Sequence, residues 1–234
     1  PFGFCESFDP AFQPWTGGGR HFSFFNQPKA AEANYHMFCS AIRPLLRDDS
    51  DEISNLDRIN QDFSGSMQTE MDKMWASKLG LKSFDNELLK KLMFLMVETK
   101  VDYTIFFHQL SSIPENISCL KKSFYTKTSK SLDEKWQEWL THWRNKLLSE
   151  NTTDLSEVSK NMRKSNPKYT WREWMIVPAY QQAEKGDYSL IKELQDVLNN
   201  PYDEQSADIE AKYYQLKPNN FFNAGGISHY SCSS

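Results

Sequence analysis

Two stretches of this 234-residue sequence carry residue types suited to chemistry. Gly17-Gly18-Gly19-Arg20 offers backbone amides beside a guanidinium, the makings of a phosphate cradle. No Gly-Lys-Ser/Thr follows it and no strand pattern precedes it, so alone it is a weak signal. The second is Cys232 in the closing Ser231-Cys232-Ser233-Ser234. A thiol among small polar neighbours near a chain end reaches solvent or another thiol, with a reactivity set by its pKa. The plainer reading is a chance terminal cysteine. Cys5, Cys39 and Cys119 are widely spaced and no CxxC occurs, which excludes a zinc ribbon and a thioredoxin-type dithiol and favours a reducing compartment. Five scattered histidines and the lack of a nucleophile elbow give nucleophilic catalysis little to build on. Asp48, Asp49, Asp51 and Glu52 lack the glycine and spacing of a calcium loop and read as a solvated connector entering a helix.

The elements that must position these residues are helices, apart from the opening. Residues 1–28 hold eight aromatics, four of the nine glycines and no lasting period. They read as an ordered, irregular segment that packs against something large. Tyr35, Phe38, Cys39, Ile42 and Leu45 or Leu46 recur every three to four residues and predict an amphipathic helix from about Lys29 to Arg47. A second helix runs through Leu56, Ile59, Phe63, Met67, Met71, Met74 and Trp75 to a left-handed cap at Gly80; core filling is the expected use of its methionines, with an adaptable binding surface as the alternative. Asp85 caps an apolar helix through Met96, and Asp102 caps a short one through Leu110. Residues 113–132, with Lys121, Lys122, Lys127 and Lys130, read as a variable surface loop. Trp136, Trp139, Leu140, Trp143 and Leu147 form one stripe, expected to be packing rather than a ligand groove. Asn166-Pro167 breaks the chain, a helix spans about Thr170 to Lys185, and Leu190 to Leu198 lie on a last long helix. The fold class is mainly α.

Twenty-seven basic against 31 acidic residues and a pI near 5.8 give no sign of an electrostatic nucleic-acid binder, and no nucleic-acid partner is expected. The longest apolar run, Leu92 to Val97, is far short of the roughly 20 residues of a membrane span, so no membrane partner is expected. The sequence opens on Pro1 without a leader and reads as a fragment beginning inside a longer protein.

Pro1-Phe2-Gly3-Phe4, Phe8-Asp9-Pro10 and Gly19-Arg20 with Phe24 and Asn26-Gln27-Pro28 resemble the segment that follows the metal-binding motif in the selenoprotein O family. Lys78-Leu79-Gly80-Leu81, Asp102-Tyr103-Thr104, Asn166-Pro167 with Tyr169 and Arg172, Gly186-Asp187, Pro201-Tyr202-Asp203-Glu204-Gln205 and the Ser-Cys-Ser-Ser end extend the resemblance along the whole chain. It implies the helical C-terminal part of a protein-kinase-like fold, from a protein adenylyltransferase. Such an enzyme moves AMP from ATP, with Mg or Mn, onto Ser, Thr or Tyr hydroxyls of protein substrates. The family's nucleotide, catalytic and metal-binding residues all precede Pro1, so no catalytic, cofactor or metal position carries over. The 234 residues alone are expected to be inactive and to hold no cofactor. The alternative is an inert helical interaction module. The resemblance also implies a mitochondrial site in a eukaryote and a cytoplasmic one otherwise.

One redox position carries over. Cys232 stands where relatives have selenocysteine or cysteine, and the family implies a link to a cysteine in the opening segment, with thiol-redox proteins as partners. That cysteine's usual place falls near Pro14 or Trp15, and Thr16-Gly17-Gly18-Gly19 replaces the usual Asn-His-Ser-Asp-like stretch. Cys5 is the substitute, and His108 stands where Arg is common. The expected organisation is an activation-like segment over 1–28, a helical core over 29–112, a loop over 113–132, a helical region over 133–200 and an irregular tail over 201–234.

Overall fold

The computed structural model describes residues 5–13, 19–46, 51–150 and 154–222. Nine α-helices carry the described chain: α1 Gln27–Ile42, α2 Asp51–Leu79, α3 Asn86–Thr99, α4 Tyr103–Leu110, α5 Lys130–Glu150, α6 Leu155–Ser165, α7 Glu173–Ala183, α8 Ser189–Asn199 and α9 Ala207–Tyr213. Extended pairing among the described residues is limited to two isolated bridges, Ser7 with Asp102 and Val101 with Phe124.

Local chemistry explains most boundaries. Asp85 accepts the Leu88 N–H and Asp102 the Ile105 N–H, capping α3 and α4. Gly80 ends α2 at φ +68°, and a Cβ there would lie 2.7 Å from Met162 Sδ, so it serves both the turn and the close approach of α6. The tryptophan stripe is packing, as expected. Trp136, Trp139 and Trp143 are buried, and their indole N–H groups donate to Thr99 Oγ1, Leu88 O and Leu79 O. Each ring therefore fills the core while its one polar group is satisfied. They belong to the main core with Phe106, Phe107, Leu92, Met96 and Met162. A second cluster joins Tyr169, Trp174, Met175, Leu194, Val197 and Tyr213.

Four expectations need correction. The first helix begins at Gln27 and gives way after Ile42 to a 3-10 turn, Arg43–Leu45, whose Pro44 cannot donate a backbone hydrogen bond. Its stripe is mostly uncovered, since α2 on one side shields Cys39 but leaves Phe38 57% and Leu45 81% exposed. Residues 113–132 are no mere surface loop: their lysines face out, but a 3-10 helix, Ile117–Ser123, puts Ile117 and Leu120 into the main core, followed by Phe124. Spacing every third residue suits a 3-10 turn and weakens the α-helical signal. Finally, the stretch after 200 is not wholly irregular. Ser206 caps α9, and Ile209 and Tyr213, four apart, pack on the second cluster. The described helices include none long and apolar enough to cross a membrane.

Candidate functional site

The place where the opening segment meets the helices is built around Asp102. Lys100 takes a left-handed conformation, φ 53°, at the end of α3 and turns the chain into Val101-Asp102. That dipeptide is then held from both sides. Phe8 N–H donates to Val101 O at 2.7 Å, and Asp102 N–H donates to Ser123 O at 2.7 Å. Ser7 bridges Asp102 and Phe124 bridges Val101. The opening segment thereby gains backbone pairing at Ser7 and Phe8 without a sheet.

The Asp102 side chain, 1% exposed, closes the junction. Its Oδ1 accepts the Ile105 N–H at 3.0 Å and the Arg172 Nη2 at 2.7 Å. Arg172 arrives from the residue before α7, 70 positions away. Burial, the largest single influence, works against its charge, yet the charge and hydrogen bond of Asp102, together with Tyr125 and Glu6, leave the guanidinium pKa raised. Tyr125 points its hydroxyl at Asp102 Oδ2, 3.5 Å off, and accepts the Lys217 backbone N–H at 3.1 Å. Lys217 Nζ pairs with Glu6 Oε2 at 3.1 Å. Burial raises the Glu6 pKa against the pull of Lys217, and its Oε1 is buried without a partner among the described residues. Segments 5–8, 101–102, 123–125, 172–173 and 217 are thus drawn together by charge in a dry place.

Aromatic packing completes the anchor. The Phe8 ring stacks on Tyr103 at 5.8 Å and meets Phe24 and Phe25 edge-on. Phe24 N–H donates to Phe12 O and Phe25 N–H to Pro10 O, folding the segment back on itself. The expectation that these aromatics are buried by something large holds for Phe8, which is 3% exposed.

Cys5 sits inside this anchor, 1% exposed. Its Sγ accepts the Asp9 N–H at 3.3 Å and donates toward Ser7 O. Burial pushes the thiol up to about 11, against the help of the Asp9 amide, so in this packing it is a poor nucleophile. Cys232, Gly17 and Gly18, with Pro14 and Trp15, lie outside the described residues, as do Asp48 and Asp49. Asp51 and Glu52 open α2. The described residues contain no group of three or more His, Cys, Asp or Glu suited to a metal ion.

The other shared words are junctions of the same sort. Asn166 donates from Nδ2 to Lys78 O and Ser111 Oγ. Lys168 Nζ, 3% exposed, is held by Glu204 at 2.5 Å and Glu210 at 2.8 Å. His108 is buried with its edge on Tyr214 and its pKa lowered, mainly by burial. Sequence reading quoted Asp102, Asn166, Arg172 and Glu204 as words but missed Lys217 and Tyr125, which carry no local pattern.

A family model described as "Protein adenylyltransferase SelO" matches residues 1–199. The chain is similar to the "Protein nucleotidyltransferase YdiU" of Flavobacterium johnsoniae, 32% identical over 247 residues covering all of this chain and 46% of that protein. It is 31% identical over 243 residues to the protein so described from Aromatoleum aromaticum, covering all of this chain and 45% of that one. A Rhodopirellula baltica protein with the same description is 27% identical over 257 residues, again covering 100% of this chain and 46% of its own length. The chain spans about half the length of the curated relatives it matches.

Proposed function

The chain belongs to the SelO family of protein adenylyltransferases, and we propose that it is the C-terminal portion of an enzyme that transfers AMP from ATP to Ser, Thr or Tyr hydroxyls of protein substrates. On this reading the fold is the helical half of a kinase-like architecture, and ATP with Mg or Mn is held by residues that precede Pro1. The parent is mitochondrial in a eukaryote and cytoplasmic otherwise. The described half has a positional task. Phosphorus-centred transfer depends on holding metal, nucleotide and acceptor in register. The observation that carries the proposal is the anchoring of residues 5–8 on Val101-Asp102 by backbone pairing and the Asp102–Arg172 ion pair. On this reading, that anchoring supports the segment that follows the family's metal motif.

The experiment uses ATP labelled at the α-phosphate. The whole protein, expressed with whatever precedes Pro1 in its reading frame, transfers label to protein; the 234 residues alone do not. Labelling by the 234 residues moves the catalytic groups into them. No transfer by the whole protein leaves the inert interaction module as the reading.

Redox control forms part of the same proposal. Cys5 and Cys232 form a disulfide, losing two electrons and two protons to a thiol-redox partner whose own disulfide becomes two thiols. On this reading the bond ties the tail to the opening segment and restrains nucleotide access. Mass mapping after oxidation of the whole protein tests this, and two free thiols overturn it.

A further inference from the structure

Beside Phe24 and Phe25 a cavity of about 560 Å³ opens between the start of α1, one face of α2 and α4. Met67, Met71, Met74 and Lys78 follow one another along α2 at spacings of four, three and four, so all four share a helix face. The methionines line this cavity rather than simply filling the core, and unbranched thioether side chains adapt to variable apolar shapes. The volume falls in the range of small-molecule sites, which are mostly apolar with a few polar groups that fix orientation. Here the only charged lining residue among those described is Lys78.

The two lysines buried among the described residues differ in one respect. Lys168 has two carboxylates on its Nζ. Lys78, 7% exposed, donates to Asn166 Oδ1 at 2.8 Å and lies over the Phe107 and Tyr103 rings, 4.5 and 5.2 Å from their centroids. No carboxylate pairs with it among the described residues. Burial accordingly draws its pKa down to about 7. A buried ammonium without a counter-ion is costly, and an acid that brings its own carboxylate into the cavity relieves that cost.

We propose that this cavity binds an apolar carboxylate of the fatty-acid kind, its chain along the methionine face and its carboxylate paired with Lys78. The site is independent of the adenylyl-transfer reading. It predicts a preference for acid over alcohol, because the alkyl chain satisfies the methionines in both and only the acid supplies the missing charge.

The test titrates dodecanoate and dodecanol into the whole protein, expressed with whatever precedes Pro1 in its reading frame, and reads affinity and stoichiometry by calorimetry. Dodecanoate is expected to bind one to one, about tenfold or more tighter than dodecanol, corresponding to about 1.4 kcal/mol or more. Lys78→Met abolishes that preference. Since this variant also removes the donor to Asn166, a second one, Ala31→Trp at the cavity wall, obstructs the site without touching the Lys78 contacts and weakens both ligands. Equal binding of acid and alcohol overturns the proposal in favour of a purely apolar occupant. Dodecanoate binding that Ala31→Trp leaves unchanged, or no saturable binding, also overturns it.

Discussion

Helix α5 sets Trp136, Trp139, Leu140, Trp143 and Leu147 on one stripe and buries all five, whereas α1 sets Tyr35, Phe38, Cys39 and Ile42 at similar spacing and buries only Cys39. The two stripes look alike in sequence. They differ in what faces them: α5 lies against α3 and the 3-10 helix, while α1 packs chiefly along α2. Where α1 and the turn after it meet α2, contact is specific, with Tyr35 stacked on Phe63 at 4.5 Å and Arg43 of the 3-10 turn paired with Asp57 at 2.5 Å. Periodicity thus reports that a face is apolar; it does not report how much of that face is covered.

The largest expected effect comes from cutting the covered stripe. Trp143→Ala removes a fully buried ring and leaves Leu79 O without its donor. A loss of about 3–5 kcal/mol in urea unfolding is expected, and a loss below about 1 kcal/mol would remove the distinction between the stripes.

Asp102→Ala comes next, at about 3 kcal/mol or more, because Arg172 is left charged and buried. The same variant of the whole protein is expected to lose AMP transfer, because the junction on which the opening segment sits loses its central ion pair, and wild-type activity would separate anchor from function. Gly80→Ala should cost about 1–3 kcal/mol through its left-handed φ and the crowding of Met162.

The pH dependence of Lys78 has a definite sign. Its folded pKa, about 7, lies below the ordinary 10.5, so between these values the unfolded chain binds more protons and stability rises with pH. Measured as wild type minus Lys78→Met, stability should climb from pH 7 to 8.5; a flat difference denies that the lysine is held neutral. The smallest effect belongs to the uncovered stripe. Phe38→Ser should change stability by no more than about 0.5 kcal/mol, and a larger loss would show that α1 is covered after all.

How much was legible follows the same division. The Asp85 and Asp102 caps, the Gly80 stop, the tryptophan packing and the Leu190–Leu198 face were readable because each depends on residues three or four apart. The 3-10 helix over Ile117–Ser123 was hidden by its different period, and α9 by its few apolar residues. At the anchor, Asp102 was legible as a cap but not as the partner of Arg172. Cys5 was legible as a thiol, but not its burial or its pKa of about 11.

By itself the sequence determined the helical character, the caps and the words that mark the family, since these reside in residue type and short spacing. Only the tertiary structure decided that Arg172 reaches Asp102, that Lys168 has two carboxylates while Lys78 has none among the described residues, and that one apolar stripe is buried and the other is not. Local spacing acts through hydrogen bonds within a helical turn, whereas counter-ions and burial depend on which distant elements pack together.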